Sequence, residues 1–314
     1  MTAEAGAPGD GALVDSRGST MHRRRLLAGA VLPLLLLVLV GCDPLATPGG
    51  PAPLRYRDDV FSTVTKTADI TYGRAVDQDG NTVTLRLDMY QPAGDTVAAR
   101  PAIVWVHGGS FCCGNKSSAE IVDEANYFAR KGYVNVSIDY RLASGGCTGT
   151  ADVARCLTAI AQAREDAQTA VRFLRARAST YRIDPDRIAI GGSSAGAITA
   201  LNVGYSPENP GPGDHQGYSS AVRAVQSLSG AQLASGPINA GDAPALLFHG
   251  TNDALVPLAW AQTTVDAAEA AGLLVVLRIW EGAGHVPYTQ FRTQILEETR
   301  NFFYWRLDVA NAAR

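Results

Sequence analysis

The chain has 314 residues, 46% of them hydrophobic and 18% charged, with a formal net charge of −3. This is an ordinary globular composition, long enough to bury a large core in one domain, and length alone asks for no second one. The balance stays acidic once residues 1–41 are set aside, so charge gives no reason to expect a nucleic-acid partner.

At the N-terminal end, His22, Arg23, Arg24 and Arg25 precede an apolar run from Leu26 to Val40. The run is shorter than the roughly 20 residues of a spanning helix and is broken by Pro33, so residues 1–41 read as an export signal. Met21 offers a second start for that signal. The three arginines followed by two leucines resemble a twin-arginine signal, and a general secretory signal explains the same residues. Leu39-Val40-Gly41-Cys42 resembles the lipobox of bacterial lipoproteins. That resemblance implies a lipid on Cys42 and a protein exported and anchored by it to the outer face of the bacterial cell membrane. Residues 42–53 are rich in Pro, Gly and Ala without periodicity, and read as a lipidated Cys with a flexible tether.

From residue 54 onward strands and helices alternate. Val83–Tyr90 alternates apolar and polar side chains, and Ala102–Val106 is a short continuous apolar run suited to a strand covered on both faces. A helix follows over about Ala119–Lys131, stopped by Gly132, then a strand over Tyr133–Ile138 and a helix over Arg164–Ala178. Arg187–Ile190 predicts a strand, Ala195–Val203 a helix, and Val222–Leu228 and Ala245–Phe248 two more strands. A helix over Leu258–Ala271, a strand over Leu273–Trp280 and a C-terminal helix from about Tyr288 complete the order. This alternation predicts an α/β fold with a mostly parallel sheet. The Pro- and Gly-rich stretch Tyr205–Tyr218 is either a small lid or a surface loop.

Gly192-Ser193-Ser194-Ala195-Gly196 fits the pattern G-x-S-x-G. The pattern is weak alone, but here it follows an apolar strand and opens a helix, as a nucleophile elbow does. A serine hydroxyl needs a base to remove its proton. His22 lies in the signal and His215 in the Pro/Gly-rich loop, while His107 and His249 each end an apolar strand. His285, in a loop after the strand Leu273–Trp280, is free to reach Ser194. The carboxylate that orients such a histidine falls between Ser and His in the chain. Asp253 fits, placed after the strand Ala245–Phe248. Asp242 precedes that strand, and Glu281 is the weaker rival. His107-Gly108-Gly109-Ser110-Phe111 follows the strand Ala102–Val106 and supplies an oxyanion loop, so the N–H groups of Gly108, Gly109 and Ala195 are the expected donors.

Glu165 and Asp166 read as acids at a helix start, where carboxylates complement the dipole. In an oxidising compartment Cys147 and Cys156, flanking a polar loop, are the expected disulfide, with free thiols as the alternative. Cys112 and Cys113 have no assigned partner and lack zinc-ligand spacing, so no metal is expected.

Together, His107-Gly108-Gly109, Asp139-Tyr140-Arg141-Leu142, the elbow at Ser194, His249-Gly250 with Asp253, and His285 resemble the α/β-hydrolase family over residues 60–306. The likeness is to carboxylesterases related to hormone-sensitive lipase and to small feruloyl or acetyl esterases. It implies an α/β-hydrolase catalytic domain over residues 54–314 with a small or absent cap. It further implies a serine esterase that needs no cofactor and acts through an acyl-enzyme on small-molecule esters with short or moderately bulky groups. Its activity would fall as pH drops through about 6 to 7, where a free imidazole base becomes protonated. An exported serine peptidase of the same fold and a non-catalytic surface binding protein remain the alternatives.

Overall fold

The computed structural model describes residues 43–149, 152–207 and 211–311; the expected export signal and Cys42 lie outside them. Among the described residues no helix is long and apolar enough to cross a membrane.

The continuous apolar run around residue 103 explains the architecture. In β3 (Arg100–Val106) every residue is buried. Ala102, Val104 and Val106 face one core, and Ile103 and Trp105 face the other, because successive strand side chains alternate sides. A strand buried on both faces needs helices on both. The first core is closed by α2 (Val153–Ala176), α4 (Ala195–Gly204) and α5 (Leu258–Ala270), and the second by α1 (Ala119–Ala129) and α6 (Tyr288–Arg306). A four-residue helix, α3 (Ala178–Tyr181), follows α2. The remaining strands are β1 (Val64–Val76), β2 (Thr82–Pro92), β4 (Val134–Ile138), β5 (Ile183–Ser193), β6 (Ala224–Leu228), β7 (Ala245–Gly250) and β8 (Val275–Trp280). They form one eight-stranded sheet in the order β1-β2-β4-β3-β5-β6-β7-β8, antiparallel where β2 meets β1 and β4, and parallel from β4 to β8. The mostly parallel sheet expected from the alternation is what the chain builds.

Three departures from the sequence reading have physical causes. β1 is an edge strand, largely exposed and interrupted by register shifts at Thr67/Ile70 and Thr71/Gly73, so it carries no clean alternation. Helix α2 begins at Val153 rather than near Arg164, capped by the Asp152 carboxylate, which accepts from the N–H groups of Ala154 and Arg155. Its first turns expose Val153 and Leu157, which blurs the apolar stripe there. Glu165 and Asp166 therefore lie in mid-helix, where they do not complement a helix N-terminus; both pair with Arg141.

The segment after position 42 also packs more than its composition suggests. Leu45 is buried in the core shared by α1 and α6, its carbonyl accepting from Asn301 Nδ2 at 2.9 Å. Trp305 Nε1 donates to the Ala46 carbonyl at 2.8 Å, and only Gly49–Pro53 form a fully exposed stretch. An apolar side chain early in the segment finds the apolar side of α6, which a free tether would leave uncovered.

Candidate active site

The elbow is built by small residues. β5 pairs with both β3 and β6, and the chain turns at Ser194 directly into α4. That turn holds Ser194 at φ 53° and ψ −120°, a region that costs a non-glycine residue on the order of 1–3 kcal/mol. The surroundings enforce it: the Ser194 N–H donates to the Leu228 carbonyl at 2.9 Å. At Gly196 a Cβ would lie 2.0 Å from the Val106 carbonyl oxygen, so only glycine lets α4 approach β3 this closely. Ser193, one residue earlier, is tied down by its Oγ donating to Glu120 Oε1 at 3.1 Å.

Asp253 follows β7 and His285 follows β8, so both stand on the same strand-end rim as Ser194, where ligands of open α/β sheets bind. Their loops are stitched together: Asn252 N–H donates to the Ala283 carbonyl at 2.9 Å and Gly282 N–H to Thr251 Oγ1 at 2.8 Å. Val286 N–H donates to Ser229 Oγ at 2.9 Å, which fixes the residue after the histidine. The outcome is a continuous relay. His285 Nδ1 lies 2.8 and 2.9 Å from the two Asp253 carboxylate oxygens, and His285 Nε2 lies 2.7 Å from Ser194 Oγ. A carboxylate facing Nδ1 keeps the proton on that nitrogen and leaves Nε2 to accept from the serine.

Burial would push the Asp253 carboxyl up, but the hydrogen bond from His285 and the N–H groups of Val256 and Leu255 outweigh it and hold the group below the usual carboxylate range. His249, the histidine that ends β7, is not a second base. It is completely buried, its Nε2 donates to the Val256 carbonyl at 2.7 Å, and burial pushes its pKa down. His107 is equally structural: burial lowers its pKa, and its ring stacks on Tyr140 with centroids 4.4 Å apart. Tyr140 Oη in turn donates to the His107 carbonyl at 3.0 Å, which braces the residue before the glycines.

Gly108 and Gly109 follow β3, and Gly108 faces the elbow: a Cβ on it would stand 3.2 Å from Ser194 Cβ. Gly109 has φ +119°, and a Cβ there would fall 2.1 Å from the Cys113 carbonyl oxygen, so the loop turns back on itself only with glycine. Among the described residues no hydrogen bond takes the N–H of Gly108 or Gly109. Ala195 opens α4, where first-turn N–H groups have no partner within the helix. Of the three expected donors, Gly108 and Ala195 stand beside Ser194, and Gly109 is the next residue of the same loop with its N–H also unused among the described residues.

A cavity of about 490 Å³ opens onto Ser194. Phe111, Leu157, Ile160, Ile198, Leu233, Leu255, Val256 and Trp260 line most of it, and no charged side chain contributes. The Cys147–Cys156 disulfide, formed as the sequence suggests, is part of its wall and ties the loop before α2 to that helix. The described part of Tyr205–Tyr218, by contrast, does not line the cavity. It lies on β1 and α2, where Arg172 Nε donates to the Asp214 carbonyl at 2.9 Å and Asp214 Oδ2 accepts the Arg74 N–H at 3.0 Å, which is the placement of a surface loop.

Sequence reasoning missed the cavity wall, which six separate segments assemble, five of them supplying its apolar side chains, and it missed the role of Arg141. That guanidinium, nearly buried, donates to Asp166 and to the Val76 and Gln162 carbonyls, anchoring the 139–142 run behind the oxyanion loop. An arginine three residues after an apolar strand and an acid within a helix were the available signals.

The family described as BD-FAE matches residues 87–230, and that of TAP-like proteins matches residues 216–304. Gut esterase 1 of Caenorhabditis briggsae is 32% identical over 139 residues, 44% of this chain and 23% of its own length. The chain thus spans about a quarter of that curated relative. Among solved structures, a thermophilic esterase of the planctomycete Thermogutta terrifontis in its native form superposes with a TM-score of 0.62 at 25% identity, covering 83% of this chain and 99% of that one. The same esterase with butyrate bound gives 0.61 at 25% identity, over 77% and 96%. By its strand order, the sequence of its motifs and these matches, the chain has the α/β-hydrolase fold and is similar to esterases.

Proposed function

We propose that the chain is a serine carboxylic-ester hydrolase acting on esters with an uncharged, short or moderately bulky group. The observation that carries the reading is the relay Ser194–His285–Asp253 beside three available N–H groups, opening into an uncharged apolar cavity. In the cycle, Ser194 Oγ attacks the ester carbonyl while His285 Nε2 takes its proton, and the N–H groups of Gly108, Gly109 and Ala195 receive the developing oxyanion. His285 then gives the proton to the leaving alcohol. Water, deprotonated by the same imidazole, releases the acid from Ser194.

Apolar walls without charge favour neutral acyl or alcohol groups, since a carboxylate there would be desolvated without a partner. The likeness to an esterase whose structure holds butyrate supports the lower end of the size range. Hydrolysis of p-nitrophenyl esters from acetate upward by the full chain tests the reading, with Ser194→Ala as control. Turnover that is lost in the variant supports it; folded protein that hydrolyses no ester refutes it. A fluorophosphonate probe that fails to label folded protein would favour a binding role instead.

We also propose that Cys42 carries a lipid that holds the protein at the outer face of the cell membrane; Leu39-Val40-Gly41-Cys42 supports this. Metabolic labelling with an alkyne fatty acid should mark the protein and not Cys42→Ser.

A further inference from the structure

The cycle above makes no use of the two adjacent cysteines that follow the oxyanion loop. Cys113 is exposed and Cys112 half-buried, and their Sγ atoms lie 2.8 Å apart. A disulfide bond of about 2.05 Å would need the sulfurs to close by less than about 1 Å. We propose that Cys112 and Cys113 are a thiol-modification site, closing reversibly to a vicinal disulfide that reshapes the oxyanion loop; its effect on turnover rests on the esterase reading.

The coupling to the loop is direct. The N–H groups of Cys112 and Cys113 both donate to the Gly109 carbonyl at 3.0 Å, and Cys112 Sγ points at the same oxygen from 3.4 Å. Joining adjacent cysteines makes an eight-membered ring that contains the peptide between them, and closure twists that peptide. The two N–H groups then cannot both stay on the Gly109 oxygen. The opposite side offers little room to absorb the movement. Cys147 N–H donates to the Ser110 carbonyl at 2.8 Å, Ala143 N–H donates to the Phe111 carbonyl at 2.9 Å, and Gly146 sits against Cys112 so closely that a Cβ there would lie 2.8 Å from Cys112 Cβ. The displacement therefore passes to Gly109, whose N–H is one of the three proposed donors.

The oxidant is a small-molecule disulfide. The exposed Cys113 loses its proton and attacks one sulfur of the oxidant, expelling the first thiol. Cys112, deprotonated in turn, attacks the mixed disulfide and expels the second. One oxidant disulfide is reduced to two thiols while two protein thiols become one disulfide. Cys147 and Cys156 are already bridged and contribute no thiol. A bridge that is exposed and strained by its ring is the kind that thiols reduce again.

The test treats the full chain, with Cys112 and Cys113 as thiols and the Cys147–Cys156 bridge intact, with oxidised glutathione and follows four readouts. The expected product is about 2 Da lighter, without a glutathione adduct. It has lost two reactive thiols and its capture by an immobilised phenylarsine oxide, a probe for paired thiols. Amide hydrogen exchange should change over residues 107–114, and p-nitrophenyl butyrate turnover should fall at least about tenfold and recover with a dithiol reductant. The double variant Cys112→Ser/Cys113→Ser, which keeps the other disulfide, should show none of these responses. Thiols that persist at Cys112 and Cys113, a stable glutathione adduct on either of them by peptide mapping, a bridge that leaves exchange over 107–114 unchanged, or an equal loss of turnover in the double variant would each overturn the proposal. If reduced protein hydrolyses no ester while mass and exchange still shift, the bridge and its effect on the loop stand and the esterase reading falls.

Discussion

Replacing Asp253 by asparagine separates the orientation of His285 from its position. The Asp253 side chain is fully buried, and Oδ1 accepts the N–H groups of Leu255 at 3.0 Å and Val256 at 2.9 Å. In Asp253→Asn those two donors hold the carboxamide oxygen at Oδ1, 2.9 Å from His285 Nδ1, and put the NH2 group where Oδ2 now lies, 2.8 Å from the same nitrogen. A donor facing Nδ1 selects the tautomer with the proton on Nε2, the nitrogen 2.7 Å from Ser194 Oγ, which then cannot accept the serine proton. Loss of the base in this way costs on the order of 10⁴ in kcat, about 5 kcal/mol of transition-state stabilisation. The turn bonds survive, so folding stability should fall by only about 1–2 kcal/mol. Steady-state hydrolysis of p-nitrophenyl butyrate, with urea unfolding alongside, reads both quantities. A folded variant within tenfold of the parent rate would refute the tautomer argument and show that the oxygen at Oδ1 suffices to hold the Nδ1 proton, and a similarly mild loss in Asp253→Ala would refute the assignment of Asp253 itself.

Arg141→Met leaves the buried Asp166 carboxylate without its main partner and should cost about 3–5 kcal/mol in urea unfolding; a loss under 1 kcal/mol would show that the pair is not needed to hold the 139–142 run. Ile198→Trp fills part of the cavity, so kcat/KM for hexanoate and longer esters should fall at least about tenfold while acetate changes little; an equal loss for both would mean that the cavity is not where the variable group binds. Stability should depend on pH through His249, and in the same way through His107, since burial lowers the folded pKa of each. The unfolded chain takes up a proton near the ordinary value of 6.5 and the folded one does not, so the neutral imidazole's contribution is complete above that value and is lost progressively below it. Asp253, depressed in the fold, adds a second loss at lower pH, as acidification passes below the ordinary carboxylate value towards the folded one. Urea midpoints measured from pH 8 to 5 should fall below about pH 6.5, and less so in His249→Asn; parallel curves would remove His249 as the cause.

The triad residues were legible because each obeys a local rule. Ser194 sits between tiny neighbours at a strand-to-helix junction, Asp253 and His285 each follow an apolar strand, and their order in the chain matches their order along the rim. The strands that were legible are those buried on both faces, such as β3, or on one, such as β2. β1 escaped because an exposed edge strand with two register shifts has no burial pattern to read. The start of α2 escaped because Val153 and Leu157 point outward there, and this hid the role of Glu165 and Asp166. The cavity was illegible for a different reason. Phe111, Leu157, Ile198, Leu233 and Trp260 meet only through the topology of the sheet, and apolar residues in five separate segments give no local sign that they share a wall.

The central claim is that the ester's acyl group passes through Ser194, and trapping that intermediate tests it most directly. The full chain would be mixed with p-nitrophenyl butyrate, quenched in acid within the first turnovers, and digested for peptide mass mapping. The account predicts a butyryl adduct on the peptide containing Ser194, absent in Ser194→Ala, which also no longer turns over. An adduct on another residue, or turnover that persists in Ser194→Ala, would contradict it.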